Sequence, residues 1–173
     1  MSSESELFEL AARVGRKLRA ADRRIVTAES CTAGWVAKAL TDIAGSSQWF
    51  ECGFVTYSNA AKMRDIGVSA RTLADHGAVS EATVREMAEG ALRVSGADVA
   101  VAVTGIAGPD GGTPAKPVGT VWFCIAARRG ADTELVSEVH LFAGDRDLIR
   151  RRSVARALQL VLDLDLQPRA AQP

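Results

Sequence analysis

The segment ADVAVAVTG, residues 97–105, is a nearly continuous apolar run that ends in glycine. Such a run is typical of a strand covered on both faces, as in a sheet that lies between two layers of helices. Apolar residues at helical spacing predict a helix over about residues 4–20 and a second, long helix that begins at Ser80. Helical and strand patterns therefore alternate around a doubly covered strand, which predicts an α/β fold.

Further patterns extend this prediction along the whole chain. Additional strands are predicted within RIVTA (24–28), QWFECGFVTYS (48–58), VGTVWFCIAA (118–127) and ELVSEVHLFA (134–143), the last two as an antiparallel hairpin. Additional helices are predicted over about 32–44, after a cap at Ser58 or Asn59, and from about 145 to 164. We find no internal repeat and no linker. We expect a single three-layer α/β/α domain with a mixed sheet over residues 1–173, with a core of about 5–165 and a loose tail at 166–173.

The charge pattern argues against several classes of protein. Lys plus Arg and Asp plus Glu each number 21, so the formal net charge is +0, and we expect no nucleic-acid partner because phosphate backbones need a basic face. No apolar run is long enough to cross a bilayer and MSSESELFEL is not a signal peptide, which predicts a cytoplasmic protein with no membrane partner. Three cysteines without a C-x-x-C pair and two isolated histidines give no support for a metal site.

The stretch RIVTAESCTAGW, residues 24–35, places two potential nucleophiles side by side where a strand passes into a helix. Backbone N–H groups at such a junction can hold an anion or the oxyanion that forms when a carbonyl is attacked. Ser30 and Cys31 are therefore candidate catalytic residues. The residues alone leave open that Ser30 or Thr32 is only a helix cap and that Cys31 is packed inside.

A serine nucleophile needs a base, and a lysine is the best candidate in this chain. His76 lies in the turn-like segment DHGA and His140 lies within a predicted strand. Lysine acts as a base when burial lowers its pKa enough to leave it neutral. Lys62, in YSNAAK, follows another junction between strand and helix, and Tyr57 would add a phenol able to bond to the lysine or the serine. The alternative is that Lys62 is a solvated helix residue.

The loop GIAGPDGGTPAKP after Thr104 matches neither the Walker A motif nor the dinucleotide fingerprint. Gly105 and Gly108 would let the backbone approach a ligand closely, and their N–H groups could receive a phosphate. A plain long loop is the alternative. Arg146 follows a strand end directly, where binding residues of α/β sheets converge. Arg150 lies one helical turn further on, and most of the arginines of GDRDLIRRRSVAR are predicted to form a solvated face.

Five motifs together resemble one known family. ESCTAG, GFVTYSNAAK, GAVSEATVREMAEGA, ADVAVAVTGIAGPDGGTPAKPVGTVW and GDRDLIRRRSVARAL occur in this order. They are similar to the CinA C-terminal domain family of nicotinamide mononucleotide amidohydrolases, in its stand-alone form, from about Leu7 to Leu164. The resemblance implies hydrolysis of nicotinamide mononucleotide to nicotinic acid mononucleotide and ammonia, in salvage of the pyridine ring for NAD synthesis. It also implies a homo-oligomer.

The resemblance carries roles to individual residues. It implies that Ser30 is the nucleophile and Lys62 its base partner, with Tyr57 as the tyrosine of the same motif. Thr104 corresponds to the threonine of the family's V-T-G-I-A-G-P motif, and Arg146 to the arginine of its G-D-R motif. The family usually has a glycine where this chain has an alanine, in the CTAG segment.

These roles fit a mechanism that we expect to need neither a metal nor an organic cofactor. Ser30 attacks the carboxamide carbon while neutral Lys62 takes the hydroxyl proton. N–H groups around Thr32 to Gly34 would hold the oxyanion. We predict Ser30 rather than Cys31, since a catalytic cysteine needs a histidine or similar base beside it.

The rest of the substrate would be held by charge. Arg146 and the loop from Gly105 to Gly108 would bind the phosphate, and Glu29 is a candidate to meet the positive charge of the pyridinium.

Three alternative functions remain at this point: a nucleotide-binding module without activity, a competence or DNA-damage factor, and an amidase for another small amide. The preference between mononucleotide and riboside is not visible in the sequence.

Overall fold

Five strands form one mixed sheet in the computed structural model of this chain, which describes residues 3–168. In chain order the strands are β1 (Ile25–Glu29), β2 (Phe50–Val55), β3 (Val99–Gly105), β4 (Thr120–Arg129) and β5 (Asp132–Leu141). The helices are α1 (Glu4–Ala20), α2 (Trp35–Thr41), α3 (Asn59–Ile66), α4 (Ala70–His76), α5 (Glu81–Ser95) and α6 (Arg146–Asp163), with a 3₁₀ turn at Ser46–Gln48. The strand order is β2-β1-β3-β4-β5.

The pairing of the strands brings three chain segments to one edge of the sheet. β1 pairs in parallel with β2 and with β3, so that Glu29 lies between Val55 and Val103, whereas β4 and β5 are antiparallel. Parallel strands end at the same edge, and the residues that follow β1 and β2 therefore meet there. The N–H of Ser30 donates to the carbonyl of Val103 over 3.0 Å, and the N–H of Thr56 donates to the backbone carbonyl of Glu29 over 2.9 Å.

Helices cover both faces of the sheet, as the apolar run in β3 predicted. Val99, Val101 and Val103 belong to the core shared with α1, α2 and α6. Ala100 and Ala102 face the other way, into the core shared with α5. Because successive side chains of a strand point to opposite faces, a strand buried on both sides must be apolar throughout. The three-layer α/β/α arrangement with a mixed sheet is confirmed.

The helix starts follow the predicted caps. Ser58 caps the start of α3 and accepts a hydrogen bond from the N–H of Ala61. Ser80 caps α5 and Asp145 caps α6 in the same way. Helix α4 was not predicted, and His76 is its last residue instead of lying in a turn. Its seven residues are all incompletely buried, so no apolar periodicity marks it.

Helix α2 is shorter than predicted because the turn before it has left-handed backbone. Ala33 has φ 52° and Gly34 has φ 89°, so neither residue can join a right-handed helix, and α2 begins at Trp35 instead of near Thr32. At the other end of the chain, residues 166–168 of the predicted loose tail are irregular, and the carbonyl of Gln167 accepts a hydrogen bond from Arg23. Residues 169–173 lie outside the described part.

Candidate active site

Ser30 and Lys62 meet at the edge where β1 and β2 end. Lys62 Nζ lies 2.9 Å from Ser30 Oγ. Ser30 directly follows β1 and keeps 9% of its surface exposed, whereas Lys62, in α3, is completely buried. The alternative that Lys62 is a solvated helix residue is therefore wrong.

The surroundings of Lys62 favour a neutral amine. Nζ also lies 2.7 Å from the carbonyl oxygen of Thr56 and 3.3 Å from that of Tyr57, and no carboxylate within residues 3–168 forms an ion pair with it. Burial lowers the pKa of Lys62 from its ordinary 10.5 to about 8. A neutral amine has two N–H donors and one lone pair. If the neutral amine directs both donors to the carbonyls, its lone pair is left for the Ser30 hydroxyl, which is the arrangement of a general base and its nucleophile.

Cys31 lies beside Ser30 but points into the protein. It keeps 5% of its surface exposed and belongs to the core between the sheet and α1, α2 and α6. Burial raises the pKa of the Cys31 thiol to about 12. Because the thiolate is the reactive form of cysteine, this environment favours Ser30 over Cys31 as the nucleophile.

Glu29 holds the turn between β1 and α2 through its carboxylate. One oxygen accepts hydrogen bonds from the N–H groups of Gly34 (2.9 Å) and Val36 (3.0 Å), and the other accepts one from Ala37 (2.8 Å). The side chain has no exposed surface. The expectation that Glu29 meets the pyridinium charge is therefore wrong, since backbone groups already satisfy its carboxylate inside the protein.

The backbone donors that remain in this turn are close to the nucleophile. The N–H of Gly34 is taken by Glu29, and that of Ala33 donates to the carbonyl of Ser30 over 3.1 Å. The prediction that the N–H groups of Ala33 and Gly34 hold the oxyanion is therefore wrong, because both are already bonded. The N–H groups of Cys31 and Thr32 make no hydrogen bond to another residue in the part of the chain that the structure describes. The buried Thr32 hydroxyl likewise has no partner there.

Tyr57 connects the Ser30–Lys62 pair with Arg146. The Tyr57 carbonyl accepts from Lys62, and its phenol oxygen accepts a hydrogen bond from Arg146 Nη2 over 3.2 Å. Arg146 Nη1 donates to the carbonyl of Gly108 over 2.8 Å. Within the described residues, the phenol therefore makes neither of the predicted hydrogen bonds, to Lys62 or to Ser30. The Tyr57 side chain is exposed, and its phenol is bonded to Arg146 instead.

Thr104 and Gly105 lie at the same edge with their own structural partners. The buried Thr104 hydroxyl donates to the carbonyl of Ala78 over 2.8 Å, which ties β3 to the segment before α5. Gly105 is the last residue of β3, where an added Cβ would lie 2.8 Å from the carbonyl oxygen of Thr120. Close packing against β4 thus requires glycine at position 105, whatever the residue contributes to binding.

Comparison with known proteins places this site in a family. The sequence profile of the CinA C-terminal domain matches residues 7–164. The chain belongs to the CinA C-terminal domain family. The resemblance seen in its five motifs is thereby confirmed.

Two curated relatives share most of their length with this CinA domain. It is 57% identical over 165 residues to a nicotinamide-nucleotide amidohydrolase PncC of Escherichia coli K12, covering 95% of this chain and 98% of the relative. It is 50% identical over 155 residues to a PncC amidohydrolase of Pseudomonas putida, covering 90% and 94%.

Solved structures of the family have the same fold as this CinA domain. A competence damage-inducible protein A from Klebsiella pneumoniae superimposes with a TM-score of 0.85 and 44% identity, covering 91% of this chain and 95% of that one. A competence/damage inducible protein from Agrobacterium tumefaciens gives the same TM-score and identity, covering 91% and 94%.

Arg150 contributes to the site of this CinA domain in a way that the sequence did not predict. Its Nε and Nη2 donate to the carbonyls of Cys31 and Thr32, each over 3.0 Å, and its guanidinium lies 5.4 Å from the ring centre of Trp35. The solvated face predicted for most arginines of this segment therefore does not include Arg150. Its position one helical turn after Arg146 is a signal that could have found it, because residues four apart share a helix face.

Two further features complete the description. A cavity of about 670 Å³ lies between α1 and α2, and its lining includes Trp35 and Arg150. Ser30, Lys62 and Tyr57 do not line it. Within residues 3–168, no three His, Cys, Asp or Glu side chains are grouped as metal ligands, and no helix is long and apolar enough to span a membrane.

Proposed function

We propose that this chain is a nicotinamide-nucleotide amidase, which converts nicotinamide mononucleotide and water into nicotinic acid mononucleotide and ammonia. The observation that carries the proposal is the 2.9 Å contact between Ser30 Oγ and the completely buried Lys62 Nζ. The 57% identical relative from Escherichia coli is named for the same activity.

In the first half of the reaction, Ser30 Oγ attacks the carboxamide carbon while the lone pair of Lys62 takes the hydroxyl proton. Negative charge then develops on the amide oxygen, and the N–H groups of Cys31 and Thr32 are the donors that receive it. The first of these belongs to the residue after the nucleophile, a recurring source of such donors. When the C–N bond breaks, the Lys62 ammonium returns its proton to the leaving nitrogen. Ammonia departs and an ester remains on Ser30.

In the second half, water attacks the ester carbon and Lys62 again takes a proton. The bond between Ser30 Oγ and the acyl carbon breaks, and the oxygen recovers the proton from Lys62. One amide bond and one water are consumed in the cycle, and one carboxylic acid and one ammonia are formed. Every proton transfer uses the same amine, so the reaction needs no organic cofactor and no metal.

We assign the phosphate of the substrate to Arg146 and to the N–H groups of Gly105 and Gly108. The N–H of Ile106, between them, already donates to the carbonyl of Thr120 over 2.9 Å. The Arg146 guanidinium has five N–H donors and uses two contacts, to Gly108 and Tyr57, so donors remain for a phosphate. Thr104 places this loop by its bond to Ala78. The mononucleotide is therefore preferred over the riboside, which lacks the phosphate.

The remaining expectations from the sequence extend this proposal to the cell. We propose a cytoplasmic enzyme of pyridine salvage for NAD synthesis, assembled as a homo-oligomer and acting without nucleic-acid or membrane partners. The balance of 21 basic and 21 acidic residues supports the absence of a nucleic-acid partner.

Ammonia release from nicotinamide mononucleotide tests the proposal, with Lys62→Met as the matched variant that keeps the length of the side chain. We expect release by the wild type and a loss of at least about 1,000-fold in the variant. Binding of the mononucleotide without ammonia release would indicate the binding module instead. Release from other small amides but not from the mononucleotide would indicate a different amidase, and tight, steeply salt-dependent binding to DNA would favour the DNA-damage factor.

A further inference from the structure

The turn that carries Ser30 is strained and needs to be held. Ala33 and Gly34 are consecutive residues in left-handed conformation, with φ 52° and 89°. The left-handed region costs a non-glycine residue about 1–2 kcal/mol. A turn of this kind keeps one geometry only when surrounding groups fix it.

Opposite charges hold opposite ends of this turn. The Glu29 carboxylate accepts the N–H groups of Gly34, Val36 and Ala37, which are on its helical side. The Arg150 guanidinium, from α6, donates to the carbonyls of the two residues that follow Ser30. Hydrogen bonds with a charged partner are stronger than neutral ones, and a planar guanidinium fixes two acceptors at once.

The contact with Arg150 fixes the direction of a donor in the proposed oxyanion site. The carbonyl of Cys31 and the N–H of Thr32 belong to one peptide unit, and in a trans peptide they point in opposite directions. A guanidinium on the carbonyl therefore orients the N–H on the far side, and polarises the same peptide so that the N–H donates more strongly.

We propose that Arg150 is a positioning residue for hydrolysis: it acts through the peptides of Cys31 and Thr32 to align Ser30 and the oxyanion donors, without touching the substrate. This inference rests on the proposed function, in which Ser30 is the nucleophile. Neither the motif resemblance nor the names of the relatives assign a role to this arginine.

The chain offers a matched control in the neighbouring Arg151. Its guanidinium lies 5.3 Å from the ring centre of Trp35, much like that of Arg150, but its hydrogen bond goes to the exposed Asp147. Each of the variants Arg150→Ala and Arg151→Ala therefore removes an arginine side chain that lies over the Trp35 ring. Only Arg150→Ala also removes the hydrogen bonds to the turn.

We expect Arg150→Ala to lower kcat by about 30- to 100-fold, since a misplacement of about 1 Å costs about 100-fold in rate. KM stays within about threefold, because the side chain does not bind substrate. The pH midpoint of the activity does not move, because Lys62 keeps its surroundings. Arg150→Lys recovers less than half of the loss, since an ammonium cannot replace the fork of two donors. Arg151→Ala matches the wild type.

Hydrogen exchange gives a readout that does not depend on the reaction. Amides of residues 30–37 exchange faster in Arg150→Ala than in Arg151→Ala, while the β3 amides are unchanged. If Arg150→Ala does not fold, the same kinetic and exchange comparisons are made with Arg150→Lys. A wild type without ammonia release would end the proposed function but leave this exchange comparison to decide the positioning role.

Two results would overturn the inference. One is a kcat of Arg150→Ala within threefold of that of Arg151→Ala, together with equal exchange in residues 30–37. The other is a rise in KM at unchanged kcat, which would make Arg150 a substrate-binding residue.

Discussion

Lys62 Nζ lies 2.9 Å from Ser30 Oγ, although the two residues are 32 positions apart in the chain. Ser30 follows β1 and Lys62 is in the helix that follows β2, and the parallel pairing of these strands brings their ends together. Burial then lowers the pKa of the amine to about 8, so roughly a tenth of it is neutral at pH 7 and about half at pH 8. The fold thus supplies both the contact and the protonation state that a general base needs.

The rate of hydrolysis depends on pH through Lys62. The amine is a base only when neutral, so kcat/KM falls about tenfold per pH unit below the pKa of about 8 and levels off above it. Measuring kcat/KM from about pH 6.5 to 10, with Arg151→Ala as a control that should follow the wild type, checks this. A profile that is flat across this range would rule out Lys62 as the base.

The lowered pKa of Lys62 also makes the free energy of unfolding depend on pH. Between about pH 8 and 10.5 the unfolded chain keeps a proton on Lys62 that the folded protein has lost, so this residue makes stability rise with pH in that window. Buried Cys31 and Cys124, with pKa values raised to about 12, act in the opposite direction. Comparison with Lys62→Met isolates the lysine.

We expect the free energy of unfolding of the wild type to rise relative to Lys62→Met by up to about 3 kcal/mol over that window, since one pKa unit corresponds to about 1.4 kcal/mol. Urea unfolding of both proteins at several pH values measures the difference. Parallel curves would mean that Lys62 is charged in the folded protein throughout.

Arg146 distinguishes substrates by their phosphate. Replacing it by alanine removes charge-assisted hydrogen bonds worth about 1.5–3 kcal/mol, so KM for nicotinamide mononucleotide rises about 10- to 100-fold. KM for the riboside changes little because it has no phosphate. Arg152→Ala is the control, since the exposed contact of that arginine is with the carbonyl of Ala143. An equal rise for both substrates would contradict a phosphate-binding role.

Ala33 is a position where glycine should be more stable. Left-handed backbone costs alanine about 1–2 kcal/mol, and the greater freedom of unfolded glycine offsets about 0.5–1 kcal/mol of the gain. We expect Ala33→Gly to raise the free energy of unfolding by about 0.5–1 kcal/mol. Ala37→Gly, within the right-handed α2, should lower it by about 1 kcal/mol. A loss of stability in both variants would show that the turn is not strained at Ala33.

Much of the fold could be predicted because it follows from periodicity and caps. The apolar run of β3 indicated a doubly covered sheet, and the serines at 58 and 80 marked helix starts that the structure has. The short α4, with no fully buried residue, leaves no such pattern. The left-handed pair at Ala33 and Gly34, which delays α2, depends on φ angles that residue spacing does not report.

The candidate site could be predicted as a set of residues but not as a network. Motifs pointed to Ser30 and Lys62, which the fold brings into contact. Which atom of Tyr57 meets the lysine, and which groups satisfy Glu29, depend on side-chain directions that appear only after folding. A buried carboxylate bonded to three N–H groups looks, in the sequence, like any acid beside a nucleophile.

Ammonia release by Ser30→Ala and Cys31→Ala, measured side by side with nicotinamide mononucleotide, tests the central claim most directly. Both variants should be folded, which circular dichroism checks. We predict that Ser30→Ala loses at least about 1,000-fold in kcat, because the nucleophile is gone. We predict that Cys31→Ala stays within about threefold of the wild type, because its thiol is buried and protonated. Retained activity in Ser30→Ala together with loss in Cys31→Ala would contradict the account.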